Sequence, residues 1–234
     1  YVPAGAFLLG SDEEDTKADG DEMPQISVNL AGFWIDKTEV TNKQYLQCVR
    51  DGACSTTGQP ILENSEYELH PVMSVTIEDA QAYCAWAGRR LPTEFEWEKA
   101  ARGVDGRIYP WGDEEPNATN NYANTSANET VAGKQADPFG LYEVGSFPKG
   151  ASPYGAVDMA GNVWEWTSSR YQLDTYVRLS QLADADGIVV NPEELSAGDG
   201  YVKRGGSASE GSVAFLRSAQ RWGDAVYRNA FLGF

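Results

Sequence analysis

The chain has 234 residues, 41% of them hydrophobic and 12% aromatic, and a formal charge of −17. That length allows one large domain or two small ones with a real core. The acidity argues against nucleic-acid binding, which needs clustered Lys and Arg against the phosphates; it disfavours anionic membrane surfaces and permits divalent cations. No apolar run approaches the ~20 residues of a membrane span, so no membrane insertion is expected. Twenty-four glycines and eleven prolines point to many turns and little long helix. Three cysteines make no disulfide framework: Cys48 and Cys54 can bridge a short loop, and Cys84 lies in a helical pattern as a buried thiol. The compartment is left open.

In chain order, residues 1–10 read as an opening strand and turn. Residues 11–22 form an acidic loop, read as a solvated charge run and the segment closest to disorder. Residues 25–36 alternate as a strand ending in Gly-Phe-Trp-Ile-Asp. Thr41 caps a helix through about Arg50, with Tyr45, Leu46 and Val49 at helical spacing. Thr76 caps a second helix over 76–87, with Ala80, Tyr83, Cys84 and Ala87 inward and Gly88 as its stop. Thr93 followed by Glu96 is a capping box, and Trp97 begins an apolar face. His70, the lone histidine, cannot form a multi-histidine metal site and reads as structural. Residues 113–150 are loop-rich. Residues 170–200 have low hydrophobic density and several acids, and read as a surface insertion within one domain spanning 1–234.

The densest signal is Tyr154 to Trp166, Tyr-Gly-Ala-Val-Asp-Met-Ala-Gly-Asn-Val-Trp-Glu-Trp. Gly161 and Asn162 mark a tight turn that can fold Asp158 and Glu165 toward one point, an oxygen set suited to calcium. Trp164 and Trp166 alternate and share one face of an extended segment. The same residues also fit a plain hairpin with solvated acids and core tryptophans.

The Gly-Asn-Val-Trp-Glu-Trp motif resembles the hallmark of the formylglycine-generating enzyme (sulfatase-modifying factor) family. So do the phrase Phe33 to Asn42, the run Arg90-Leu91-Pro92-Thr93-Glu94, Tyr109-Pro110-Trp111-Gly112, and Arg204-Gly205-Gly206-Ser207. The resemblance implies an α+β, C-type-lectin-like fold, with twisted antiparallel strands, two main helices near 41–50 and 76–87, and much irregular loop. It also implies structural Ca2+ at one or two sites. The first takes Asp158 and Glu165 by side chain and Gly161 and Val163 by backbone. The second takes Asn121 and Asp137 by side chain and Tyr122 and Phe139 by backbone.

Catalytic members carry two copper-binding cysteines between the Gly-Gly-Ser turn and the following arginine strand. Here residues 208–215 hold no cysteine, and none follows Cys84, so neither formylglycine generation nor copper is expected. No Ser-His-Asp set or His/Cys cluster offers another catalytic constellation. The framework residues Leu216, Arg217, Ser218, Arg221 and Arg228 alternate with an odd assortment, an arrangement that resembles the variable proteins of diversity-generating retroelements. That resemblance implies a ligand-binding face drawn from Ala208, Ser209, Glu210, Gly211, Val213, Phe215, Gln220, Trp222, Gly223, Asp224, Tyr227, Asn229 and Phe231. A template Asn codon mutated at its adenines cannot give Glu, Gln or Trp, so Glu210, Gln220 and Trp222 are template-fixed on this reading. The ligand is expected to be a protein or another macromolecule; carbohydrate is a weaker option, because the lectin-type Glu-Pro-Asn motif is absent. A constant accessory or signalling module, and an enzyme of copper-independent chemistry, remain the alternatives.

Overall fold

The computed structural model describes residues 1–117, 119–126, 134–192, 198, 200–224 and 230–234. Two small sheets and four helices make up its regular structure. The first sheet orders β1 (Gly5–Leu9), β2 (Ile26–Leu30) and β4 (Ile188–Val190). The second orders β6 (Trp222–Asp224), β5 (Tyr201–Arg204), β3 (Trp164–Arg170) and β7 (Leu232–Gly233). β1–β2, β3–β5 and β5–β6 are antiparallel, whereas β2–β4 and β3–β7 are parallel.

Each of the three long helices begins where a threonine side chain satisfies a first-turn N–H. Thr41 opens α1 (Asn42–Arg50), Thr76 opens α2 (Ile77–Trp86) and Thr93 opens α3 (Glu94–Arg102), each with a reciprocal capping box. α2 stops at Gly88, which sits at φ +70, left-handed backbone that a Cβ disfavours. A disulfide joins Cys48 at the end of α1 to Cys54, and Cys84 is a buried free thiol. Among the described residues two large apolar cores result, with two smaller clusters beside them. One packs Phe95, Trp97 and Ala101 of α3 against the first sheet; the other packs α1 and α2 around Trp164, Trp166 and Phe234. Trp164 and Trp166 thus share one buried face, as their alternation predicts.

Four expectations change. α3 is a third main helix, and a short α4 (Thr175–Ser180) adds a fourth. The strand expected over 25–36 ends at Leu30, leaving Phe33 only an isolated bridge to Val2. The stretch 170–200 is not merely a surface insertion: Tyr176, Leu179 and Val189 are buried in the first core, and β4 completes its sheet. Three well-placed apolar side chains are enough to anchor a segment whose average composition is polar. The acidic loop is not simply solvated either. Glu22 is fully buried and holds the Arg217 guanidinium with both carboxylate oxygens at 2.6 Å, while Asp15 adds a 2.9 Å bond.

Between the cores lies a buried ionic network. Glu94 and Glu98, one turn apart on α3, face Arg204 and Arg221. Arg221 bonds both Glu94 oxygens at 2.9 Å. Arg204 reaches Glu98 at 2.9 Å, the Tyr176 hydroxyl at 2.7 Å and the carbonyls of Ser218, Ala219 and Gln220. Burial works against the Arg204 charge, but Tyr176, Glu98 and Glu94 prevail and raise its pKa above the ordinary arginine value. Removing one partner leaves a desolvated charge unpaired. Glu94→Ala should therefore destabilise the domain by about 3–5 kcal/mol in chemical denaturation. Arg178→Ala, which removes an exposed Asp174 pair, should cost about 1 kcal/mol or less.

Candidate functional site

Several distant segments meet at the turn that the sequence singles out, just before β3. Asp158 and Asn162 adopt left-handed backbone, at φ 64 and 59. Gly161 is required there: a Cβ would lie 2.1 Å from the Asn124 carbonyl oxygen. The backbone here then binds its neighbours in turn. Gly161 N–H donates to Gly205, Asn162 N–H to Asn124 and Trp164 N–H to Phe231, while the Asn162 carbonyl accepts from Ala208 N–H. Asn162 links Asn124, Tyr142 and Glu39 through its side chain.

Glu39 is the residue that sequence reasoning passes over. It accepts from Asn162 Nδ2 at 2.8 Å and from Val163 N–H at 3.0 Å, from 123 or more positions away in the chain. Its presence in the Phe33–Asn42 phrase was the one available signal. Burial raises its pKa well above the ordinary carboxylate value, with Asp158 and Glu165 raising it further. Burial likewise lifts Asp158 to about 6 and Glu165 to about 7. These two acids are near enough to feel each other, but different N–H groups hold them: Gly145 N–H for Asp158, and Trp97 Nε1, at 2.6 Å, for Glu165. Among the described residues, no three His, Cys, Asp or Glu side chains converge as a metal-binding group. Glu39 and Glu165 border a cavity of about 600 Å3 walled by Trp34, Tyr83 and Leu91.

At the second expected calcium site, the Asp137 loop has the better donor chemistry. Asp137 Oδ1 accepts from Phe139 and Leu141 N–H, while its buried Oδ2 has no partner. Burial raises its pKa, so a cation there would satisfy both the charge and the orphaned oxygen. The bond from the neighbouring loop to this turn comes from Asn124, whose Nδ2 reaches the Gly140 carbonyl at 2.9 Å. Tyr122 is turned elsewhere. Its ring stacks on Trp111, its hydroxyl bonds Glu114, and its carbonyl lies against Gly150. Asn121 makes no described bond to the Asp137 turn. The nearby His70 is buried with both ring nitrogens unpartnered.

The C-terminal face hangs between the buried arginines. Trp164, Phe215 and Trp222 form a run of edge-on rings with centroids 6.1 Å apart at each step. Trp164 Nε1 donates to Glu210 Oε1 at 2.8 Å, and Lys203 lies 4.9 Å over the Trp164 ring while pairing with Asp224 at 2.7 Å. Ser209, Gly211 and Trp222 are exposed. Ala208, Glu210, Val213, Phe215, Gly223, Asp224 and Phe231 are half-buried, with Ala208 and Phe231 packed against the cluster of Ile61, Met73, Leu141 and Val163. Gln220 does not belong to this face. It is buried, bonded to Arg217 and to the Arg221 carbonyl, because the framework arginines turn that position inward. Tyr227, Asn229 and Arg228 lie outside the described residues.

Two small mixed sheets, three capped helices, irregular loops and a C-terminal face held on buried arginines define a C-type-lectin-like α+β domain of the formylglycine-enzyme type. The chain belongs to the Sulfatase-modifying factor enzyme 1-like domain family, which it matches over residues 1–234. It is 37% identical over 217 residues to the mouse (Mus musculus) protein named inactive C-alpha-formylglycine-generating enzyme 2, covering 74% of this chain and 68% of that one. It is 31% identical over 268 residues to hercynine oxygenase of Mycolicibacterium smegmatis, covering 99% of this chain and 59% of that one. Among solved structures, PvdO from Pseudomonas aeruginosa has a TM-score of 0.73 at 24% identity, over 99% of this chain and 90% of that chain. Treponema denticola variable protein 1 has a TM-score of 0.66 at 21% identity, over 99% and 92%. Both share the fold.

The raised carboxylates have a consequence for stability. A folded pKa of about 7 for Glu165 and about 6 for Asp158, against ordinary values of 4.5 and 3.8, favours the protonated folded state. Their contribution is complete below pH 4 and is lost as pH rises through 6 to 7. In chelator, the melting temperature should therefore rise as pH falls from 8 to 5.5, and Glu165→Gln should flatten that slope.

Proposed function

We propose that this chain is a non-catalytic recognition domain whose C-terminal face binds a protein or another macromolecule. One observation carries the reading. Arg204, Arg217 and Arg221 are buried and committed to Glu94, Glu98, Glu22 and backbone carbonyls, so the loops between and beyond them are fixed at their ends. Ser209 and Gly211, beside the exposed Trp222, can vary without entering a core. Rigid aromatic area beside small residues is the usual composition of a binding surface.

The reading extends to a face diversified as in retroelement variable proteins. Two of the three residues that adenine mutagenesis cannot supply have scaffold contacts that support their being constant: Gln220 is buried, and Glu210 anchors the Trp164 indole and accepts from Ser126 through its carbonyl. The constant-module alternative draws on the relative named inactive. The state of the cysteines supports a reading without copper-thiolate catalysis: Cys48 and Cys54 are joined, and burial pushes the Cys84 thiol up to about 11. Within the same proposal, the Asp137 carboxylate would hold a structural calcium ion, whose charge would pin loops that have few ladder bonds of their own.

Deep sequencing of the 3′ end of the gene across a source population tests the reading. Substitutions should cluster at 208–215 and 222–231, sparing Glu210, Arg217, Ser218, Gln220, Arg221 and Trp222; an invariant segment would sink the diversified version and leave a constant module. Incubation with copper and a cysteine-containing sulfatase peptide should give no aldehyde by mass spectrometry, and turnover would overturn non-catalytic binding. Calcium should raise the melting temperature at pH 7.5, and Asp137→Asn should remove most of that rise.

A further inference from the structure

Beside the C-terminal face, a groove of about 620 Å3 runs between Trp222 and Gly223 on one side and Asp19, Gly20, Asp21, Tyr171 and Leu173 on the other. Its walls come from three parts of the chain, and only Trp222 and Gly223 belong to the expected binding face. Leu173 is 71% exposed and Trp222 47%, so two large apolar side chains stand at its rim. Tyr171 forms the floor. Gly223 is required for this, because a Cβ there would meet the Tyr171 ring at 2.4 Å.

The charge in the groove is one-sided. Asp19 is exposed. Asp21 is 8% exposed; its Oδ2 accepts from the Tyr171 hydroxyl at 2.8 Å, and its Oδ1 accepts no hydrogen bond among the described residues. The lining contains one cation, Arg221, and it is not available to a ligand. Its Nε and Nη2 bond Glu94, and its Nη1 bonds the carbonyls of Gln172 and Asp21 and lies 3.9 Å from Asp21 Oδ2. An anionic ligand therefore has no free donor cation to meet, whereas a cation finds the exposed Asp19 carboxylate, the second oxygen of Asp21 and an indole face.

We propose that this groove takes an arginine side chain of the protein partner, with the guanidinium against Asp19 and Asp21 and its stem and planar face along Trp222 and Leu173. Arginine suits the site better than lysine. Its planar fork stacks on an aromatic ring and presents several N–H groups to paired carboxylates. A domain of charge −17 also steers a basic partner segment toward it, most strongly at low salt. The proposal rests on the C-terminal face as the recognition surface and specifies one contact within it.

The test is an NMR titration of the full chain with Ac-Ala-Arg-Ala-NH2 and its neutral citrulline twin, following the indole N–H signals. The Trp222 signal is assigned by its disappearance in Trp222→Phe. The arginine peptide should shift that signal saturably, with binding at least about fivefold weaker for the citrulline peptide and for Asp19→Asn/Asp21→Asn, and weaker again in 0.5 M salt. Asp19→Asn alone changes an exposed residue and gives a second reading if the double variant does not fold. Equal shifts with both peptides, no shift at Trp222, or a response unaffected by Asp19→Asn and the double variant would overturn the proposal. The recognition reading fails separately. If the sequencing shows diversified positions on the face while Trp222 ignores arginine, the face survives and the groove assignment does not.

Discussion

The structure depends on two acids one turn apart in α3. Glu94 and Glu98 collect Arg204, Arg221, Tyr176 and Arg102 at one buried point, and Glu98 also accepts from Gly10 N–H. The turn after β1, α3, α4, β5 and the C-terminal segment all send a group there. Charges taken out of water hold only if every partner is present, so the network acts as a check that these distant segments have met in register. Its position explains how so irregular a chain holds one shape: much of the backbone lies in loops, and side-chain bonds supply what ladders do not.

The same network separates support from display. Arg204 precedes the Gly205–Gly206 turn, Arg217 follows the 207–216 loop, and Arg221 precedes the Trp222 strand. Each guanidinium points inward, which leaves Ser209, Gly211 and Trp222 facing solvent while Ser218, Ala219 and Gln220 stay buried. From the other side, the 158–166 segment supports the same loops through backbone bonds to Gly205, Ala208 and Phe231. Glu39 holds that segment in turn. A recognition surface built this way has constant roots and replaceable tips, which is the physical condition for varying side chains without unfolding the domain.

The acid cluster beneath that segment belongs to this support. Glu39, Asp158 and Glu165 are crowded and poorly hydrated, a state that N–H donors make tolerable. The buried Asp137 carboxylate and the two unpartnered nitrogens of His70 show the same economy of donors in the adjoining loop. Such loops keep polar groups inside because the chain has few regular elements with which to satisfy them.

Much of the architecture was legible in the amino-acid sequence. Thr41, Thr76 and Thr93 marked three helix starts because a cap is a local bond between residues three apart. Gly161 and Gly206 marked turns because only a residue without Cβ fits there. The alternation of Trp164 and Trp166 marked one buried face. What the sequence could not settle were partnerships across long separations. Acids at 15 and 22 look solvated until Arg217, some 200 residues away, arrives to bury them. Gln220 looks like its exposed neighbours until Arg217 and Arg221 turn inward and take it with them. Asn124 rather than Asn121 meets the Asp137 turn because the path of the loop, not its spacing, decides which amide arrives. Residues 170–200 looked peripheral by average polarity, yet Tyr176, Leu179 and Val189 enter the core. Local bonds are written in local sequence; the pairing of charges and the choice of buried side chain emerge only when the folded chain brings their partners into contact.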